Sequence, residues 1–182
     1  MRPSLFVLIS LIFAGFASRL IPHAWNFTPV IAMALVAGVY ARPRWLAFAL
    51  PFAGMWLSDL VLNNLVYAQY YEGFRLFGDA GAYLGIAACA ALPLLAKTHP
   101  TASWAKLLGT GAAGVVLFYL ISNAMTWATA GLYPLTPAGL LACYVAGLPF
   151  LSGTALGTLV FGGVGVAVMR GVQAREVALV GA

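Results

Sequence analysis

Charge is what this sequence has least of. Asp, Glu, Lys and Arg make up 7% of its 182 residues, whereas a soluble domain carries about 25% to keep its surface wet. That scarcity excludes an ordinary water-soluble globule. Acids are rarer still, four against nine basic residues. The basic excess does not point to nucleic acid, because binders of nucleic acid cluster their Lys and Arg on a wet face. Here they stand one or two at a time between apolar runs. Cysteine is also scarce: Cys89 and Cys143 each lie in an apolar stretch, with no CxxC pair and no zinc spacing. Neither a disulfide framework nor a structural metal site is expected. P-loop, HExxH and Gly-x-Ser-x-Gly patterns are missing, which speaks against an enzyme. Any ATP-driven step would therefore need another subunit.

Apolar residues are abundant, at 63% of the chain. A span needs about 20 mostly apolar residues to cross a bilayer's hydrocarbon core. Such runs fall at 4–21, 28–41, 45–62, 79–96, 104–127 and 138–169. The second is short, and is expected to tilt or break near Pro29. The last is too long for one simple span. Pro149 and Gly153 are expected to divide it into a re-entrant or interfacial piece, 138–148, and a span, 150–169, since proline removes a helix donor. Arg2 followed by an apolar run and Gly15-Phe16-Ala17 loosely fits a secretory leader, but the segment is taken here as the first span. The expectation is a single integral membrane domain over 1–182, an all-α bundle of six transmembrane helices.

Orientation follows from the loops. With the N-terminus inside, the cytoplasmic side carries Arg2, Arg42, Arg44, Lys97, Lys106, Arg170 and Arg175, and the outer side only Arg19 and Arg75. Short loops enriched in Lys and Arg stay in the cytoplasm. Both termini are therefore expected inside, in a bacterial inner membrane. The outer face then collects the unusual residues. Its first loop contains Arg19, His23, Trp25 and Asn26; the third span ends in Ser58-Asp59 with Asn63 and Asn64 after it. Tyr67, Tyr70, Tyr71, Glu72 and Asp79 follow, and the fifth span closes with Ser122-Asn123, Trp127 and Tyr133.

An interfacial belt would place aromatics at both faces, but this enrichment in Asn, His and Asp is one-sided. A polar, aromatic-lined concavity is how a membrane protein would recognise a small solute. The plainer alternative is an Arg19–Asp59 structural salt bridge with the aromatics as membrane anchors. His23 has no second histidine or cysteine at ligand spacing and reads as a hydrogen-bonded loop residue. Small residues recur every four positions: Ser10, Ala14 and Ser18; Ala34 and Gly38; Gly81, Gly85 and Cys89. Such stripes let helices approach closely. They pack the protein's own bundle, or, on the first span, offer a docking face to a partner membrane protein.

These segments resemble a bacterial family of unknown function whose members are described as transport proteins. The likeness rests on Arg19 with Pro22-His23-Ala24-Trp25-Asn26-Phe27-Thr28-Pro29, on Ala32-Met33-Ala34-Leu35, and on Ser58-Asp59. It continues in Asn123 with Trp127, Tyr133-Pro134, Gly139-Leu140-Leu141-Ala142-Cys143-Tyr144, Gly147-Leu148-Pro149-Phe150, Thr154 and Gly157. That family often has an aspartate after the final glycine, where this chain has Thr158. It looks similar to the S-components of energy-coupling-factor (ECF) vitamin transporters. The resemblance implies a six-helix protein that binds a vitamin from outside. It also implies docking through Ser10, Ala14 and Ser18 on a transmembrane coupling protein with its ATPases. One branch of those transporters binds cobalamin through a cysteine, for which Cys89 would be the counterpart. The expected function is capture of a small vitamin-like solute, with Arg19, His23, Trp25, Asn26, Asp59, Asn63, Asn123, Trp127, Tyr133 and Tyr144 as candidate contacts. No cofactor is expected beyond a transported cobalamin. The alternatives are a structural or assembly subunit of a larger membrane complex and an intramembrane enzyme built on Ser58, Asp59 and His23.

Overall fold

A computed structural model describes residues 3–22 and 26–180, and these residues form helices and loops without a strand. The helices are α1 (Pro3–Ala17), α2 (Val30–Tyr40), α3 (Leu46–Val61), α4 (Ala80–Leu95), α5 (Trp104–Thr129) and α6 (Pro137–Val180). Short 3₁₀ turns follow α1 at Ser18–Leu20 and precede α4 at Ala68–Tyr70, and a π-helical turn, Leu62–Val66, extends α3. The starts of α4 and α5 are written in the sequence. Asp79 accepts from the Ala82 N–H at 2.9 Å, and Ser103 accepts from the Lys106 N–H at 3.3 Å. Each side chain satisfies one of the donors that a helix start leaves without a partner.

The centre of the bundle is α2. All eleven of its residues are buried, and it packs against each of the other five helices. Its sequence, VIAMALVAGVY, is apolar on every side, as expected of a helix with no face to solvent. Two close approaches fix its neighbours. A Cβ on Gly38 would lie 2.5 Å from the Ala90 carbonyl oxygen of α4, and one on Gly114 would lie 3.1 Å from Leu35. The core continues through Leu8, Ile12 and Phe16 of α1 and through Ile86, Cys89 and Ala90 of α4.

Successive helices alternate in direction. The Ser4 N–H donates to Glu176 at 2.7 Å, which brings the start of α1 beside the last turns of α6. Arg170 donates to the carbonyls of Pro100 and Ala102 ahead of α5. The described chain ends therefore share one end of the bundle with Arg42, Arg44, Lys97, Lys106, Arg170 and Arg175. Arg19, Asp59, Arg75 and Asp79 lie at the opposite end.

Three helical stretches are long and apolar enough to cross a membrane: Leu46–Val66, Trp104–Thr129 and Pro137–Leu179. The other apolar helices, Ser4–Leu20, Val30–Tyr40 and Ala80–Leu95, are shorter. At 1.5 Å per residue, α2 extends about 17 Å, roughly half of a 30 Å hydrocarbon core. Six apolar runs thus become three helices of spanning length. At Pro149 and Gly153 the outcome also differs from the sequence expectation, because α6 runs through both as one helix of 44 residues. Around the proline, Thr154 donates to the Phe150 carbonyl at 3.0 Å and Thr158 to the Thr154 carbonyl at 2.8 Å. Two residues before the proline, Gly147 lets α5 approach, since a Cβ there would meet the Asn123 side chain at 2.5 Å.

Candidate functional site

The last turn of α3 places Ser58 and Asp59 on the buried side, where α1 and α4 meet it. Arg19, just past the end of α1, points its Nη1 at three acceptors on α3. It reaches Asp59 Oδ1 at 2.9 Å, the Ser58 hydroxyl, and the Met55 sulfur at 2.9 Å. Ser58 passes its own proton to the Met55 carbonyl at 2.9 Å, so toward Arg19 it is an acceptor. The second carboxylate oxygen, Oδ2, accepts from the Tyr83 hydroxyl of α4 at 2.9 Å. Asp59 is 3% exposed, and a Cβ on Gly78 would sit 2.2 Å from its Oδ2. Three helices therefore close around one carboxylate whose two oxygens both have partners. Charge-assisted bonds of this kind are short and strong, and a buried ion needs them because losing water costs several kcal/mol.

Arg19 is not used up by this pairing, for it also lines a cavity of about 640 Å³ with Asn26, Thr28, Tyr67 and Phe150. A second cavity of about 250 Å³ lies between α4, α5 and α6, lined by Asn26, Ser122, Asn123, Thr126 and Thr154 with Tyr119 and Phe150. Asn26 and Phe150 border both. Asn26 sits at φ 54°, a left-handed conformation that asparagine accepts more readily than most residues. Its carbonyl takes the Thr28 N–H at 2.9 Å. The tight turn so formed leads directly into α2.

Of the residues expected to touch a solute, the fold gathers four. Arg19 and Asn26 share the larger cavity, Asn26 and Asn123 share the smaller, and Asp59 holds Arg19. Asn63 lies beside this group, with its Nδ2 3.6 Å from where a Gly78 Cβ would be. The remaining three described candidates do other work. Trp127 donates its indole N–H to the Pro134 carbonyl at 2.8 Å, pinning the loop that carries Tyr133. Tyr144 donates to the Leu120 carbonyl at 3.0 Å and its ring lies 5.7 Å from that of Tyr119, so it fastens α6 to α5. None of these three lines either cavity. His23 and Trp25 lie outside the described residues.

Cys89 is fully buried and donates weakly to the Gly114 carbonyl at 3.4 Å. It belongs to the α4–α5 packing and lines neither cavity. Among the described residues no three His, Cys, Asp or Glu come close enough to hold a metal ion. The small-residue stripes divide by use. Gly38, Gly81 and Gly85 receive neighbouring helices, whereas Ser10 and Ala14 are exposed on the outside of α1 and Ser18 donates to the Gly15 carbonyl at 2.7 Å.

Tyr83, Gly78 and Thr154 join the site without having been singled out for it. Tyr83 had a signal: a lone phenol in the otherwise small and apolar Gly81–Cys89 run must find an acceptor when buried. Gly78 had none, because its role is to leave room for a residue nineteen positions away.

No curated protein and no solved structure matches the chain. A family profile does match, over residues 1–179, and the chain accordingly belongs to the family of unknown function DUF6580.

Proposed function

We propose that this protein is a membrane-embedded solute-binding subunit of a transport system, and that it takes its ligand from the extracytoplasmic side into the joined cavities at Asn26. The carrying observation is the non-helical backbone of residues 21–22 and 26–29. Backbone that is not helical is tolerated at membrane depth only where protein buries it or a water-filled cavity hydrates it. Ile21, Pro22, Asn26 and Thr28 line the larger cavity, and residues 26–29 stand directly ahead of α2, where a full-length second span would begin. The short α2 and the cavity are then one feature. Six crossings follow, with α2 as a half-length crossing enclosed by protein and the cavity completing its path.

Six of the eight described basic residues lie on the side of the chain ends, which supports both termini being cytoplasmic under the positive-inside rule. The cavities together are of the size that takes a small molecule. Arg19, Asn26, Thr28, Ser122, Asn123 and Thr126 offer it hydrogen bonds, while Phe150 and Leu62 offer apolar contact. In this scheme Asp59 is a positioning residue. The test is a thermal-shift screen of purified protein against vitamins and cofactor-like solutes. One compound should stabilise the wild type, and Asn26→Ala and Asn123→Ala should each weaken it about tenfold, as expected for losing one or two buried hydrogen bonds. A hit that both variants bind equally well refutes the site.

A second reading has its own observation. Phe6, Ser10 and Ala14 form an exposed line on α1, opposite its buried Leu8, Ile12 and Phe16. Small residues on a lipid-facing helix suit close packing with another helix. A transmembrane partner docked there fits a coupling protein with ATPases, or a larger complex assembled around this subunit. A stoichiometric partner in mild detergent, lost in Ala14→Trp, supports it.

A further inference from the structure

A third cavity of about 660 Å³ adjoins the smaller solute cavity at Leu151 and extends from it as a groove floored by α2 and walled by α5 and α6. On α5 it runs from Trp104 to Val116, and on α6 from Leu151 to Val166, about 18–22 Å of helix. That is somewhat more than one leaflet of a 30 Å hydrocarbon core. Its wall is almost wholly apolar. The hydroxyls bordering it are already spent, since Thr110 donates to the Lys106 carbonyl at 2.8 Å and Thr158 to that of Thr154 at 2.8 Å. Gly111 and Gly163 also border it, and a Cβ on either would meet nothing within 4 Å. Hydrocarbon suits such a space, and a hydrogen-bonding solute does not.

One end of the groove is different. Trp104 forms it, and the Arg170 guanidinium lies over that indole at 4.8 Å from the ring centroid. Arg170 is held there by the carbonyls of Pro100 and Ala102. Lys106 adds a second positive charge at this end of α5, exposed on a face turned away from Trp104, with its Nζ donating to the Lys97 carbonyl at 3.3 Å. Among the described residues the one acid at this end is Glu176, which accepts from Ser4. The groove therefore joins a hydrocarbon-sized slot to a positively charged, aromatic mouth. We infer that it is a binding site for an anionic phospholipid, with an acyl chain along α5 and α6, the phosphate at Arg170, and Lys106 adding to the positive field at that end. The charge at the mouth selects a lipid over a partner helix, whose apolar length would gain nothing from it. This inference rests on the membrane placement proposed above but not on solute binding.

The experiment uses the full chain in vesicles of phosphatidylcholine doped with phosphatidylglycerol, the dibrominated acyl chains being carried on one lipid or the other. Bromine quenches nearby indoles, and the Trp104 contribution is the difference between wild type and Trp104→Phe. Brominated phosphatidylglycerol should quench Trp104 at a mole fraction at least about fivefold lower than brominated phosphatidylcholine, since each basic residue near an anionic headgroup contributes a factor of about that size. Arg170→Gln should remove most of the preference. Lys106→Gln, on an exposed side chain, should reduce it without affecting the fold. Gly163→Leu should lower quenching by both lipids. Equal quenching by the two lipids, or a preference that survives both charge variants, overturns the site. Quenching that falls as protein is concentrated in the vesicles assigns the groove to a second copy and also overturns it. Failure of the protein to float with vesicles of either lipid would instead remove the membrane placement itself.

Discussion

Arg19 and Asp59 hold opposite charges 2.9 Å apart, with side chains 14% and 5% exposed. Removing one partner leaves the other buried and unmatched, which costs about 3–5 kcal/mol. Asp59→Ala should therefore destabilise the protein by about 3 kcal/mol or more, read as denaturant unfolding in detergent, and Arg19→Ala by a similar amount. The double replacement Arg19→Met with Asp59→Leu should cost clearly less than the sum of the single ones, because no stranded charge remains. Additive costs would show that the two side chains do not depend on each other. Tyr83→Phe leaves Asp59 Oδ2 without its phenol, and a loss of about 1–3 kcal/mol is expected. Gly78→Ala tests the same carboxylate from its other side. A methyl group 2.2 Å from Oδ2 must push the acid or the loop, so it should lower stability and ligand affinity together.

At the scale of elements, α2 and α6 depart furthest from a simple span. The close approach of α2 to α4 rests on Gly38, where a side chain would press on the Ala90 carbonyl and Pro93. Gly38→Ala should cost about 1–3 kcal/mol, as overpacking usually does, with the loss visible as a lower melting temperature. Gly163→Ala on the groove side of α6 should be nearly neutral, which makes it the control. The 44 residues of α6 extend about 66 Å, beyond even the 40–45 Å of a bilayer with its headgroups. Its final turns, 171–179, are mostly exposed. Between α3 and α4 a long loop is closed by two side chains: Asn64 accepts from the Arg75 N–H at 2.7 Å and donates to the Arg75 carbonyl at 2.8 Å, and the Trp56 indole N–H donates to the Leu76 carbonyl at 3.1 Å. Asn64→Ala removes both Arg75 bonds. It should raise amide exchange over residues 65–78 while the helices stay protected, since the bundle does not depend on that clasp.

For the whole molecule the decisive measurement is sidedness. In right-side-out vesicles, a single-cysteine variant made as Asn26→Cys in a chain with Cys89→Ala and Cys143→Ala should react with an impermeant maleimide, and bound solute should protect it. Tags on the N- and C-terminus should both stay inaccessible until the vesicles are opened. Termini that label on different sides would require an odd number of crossings, and both the proposed topology and the proposed route to the cavity would fail.

The all-helical class was legible in the scarcity of charge and in the length of the apolar runs, because an unscreened backbone in an apolar setting must bond to itself. The Arg19–Asp59 pairing was legible too, as two isolated charges at helix ends that share one face. Hydropathy marked 28–41 as short but could not reveal that its helix, Val30–Tyr40, is wrapped by five others, because an apolar residue facing protein and one facing lipid look alike in a linear sequence. Nor could it show that Pro149 lies inside a continuous helix, since whether proline breaks a helix depends on what surrounds the carbonyls it frees. The same limit applies to the site. Residue chemistry marked Asn26, Asn123, Trp127 and Tyr144 equally, and only packing separated the two that line a cavity from the two that fasten α5 and its loops. Composition determines what a chain must hide from water, and tertiary structure decides which neighbour does the hiding.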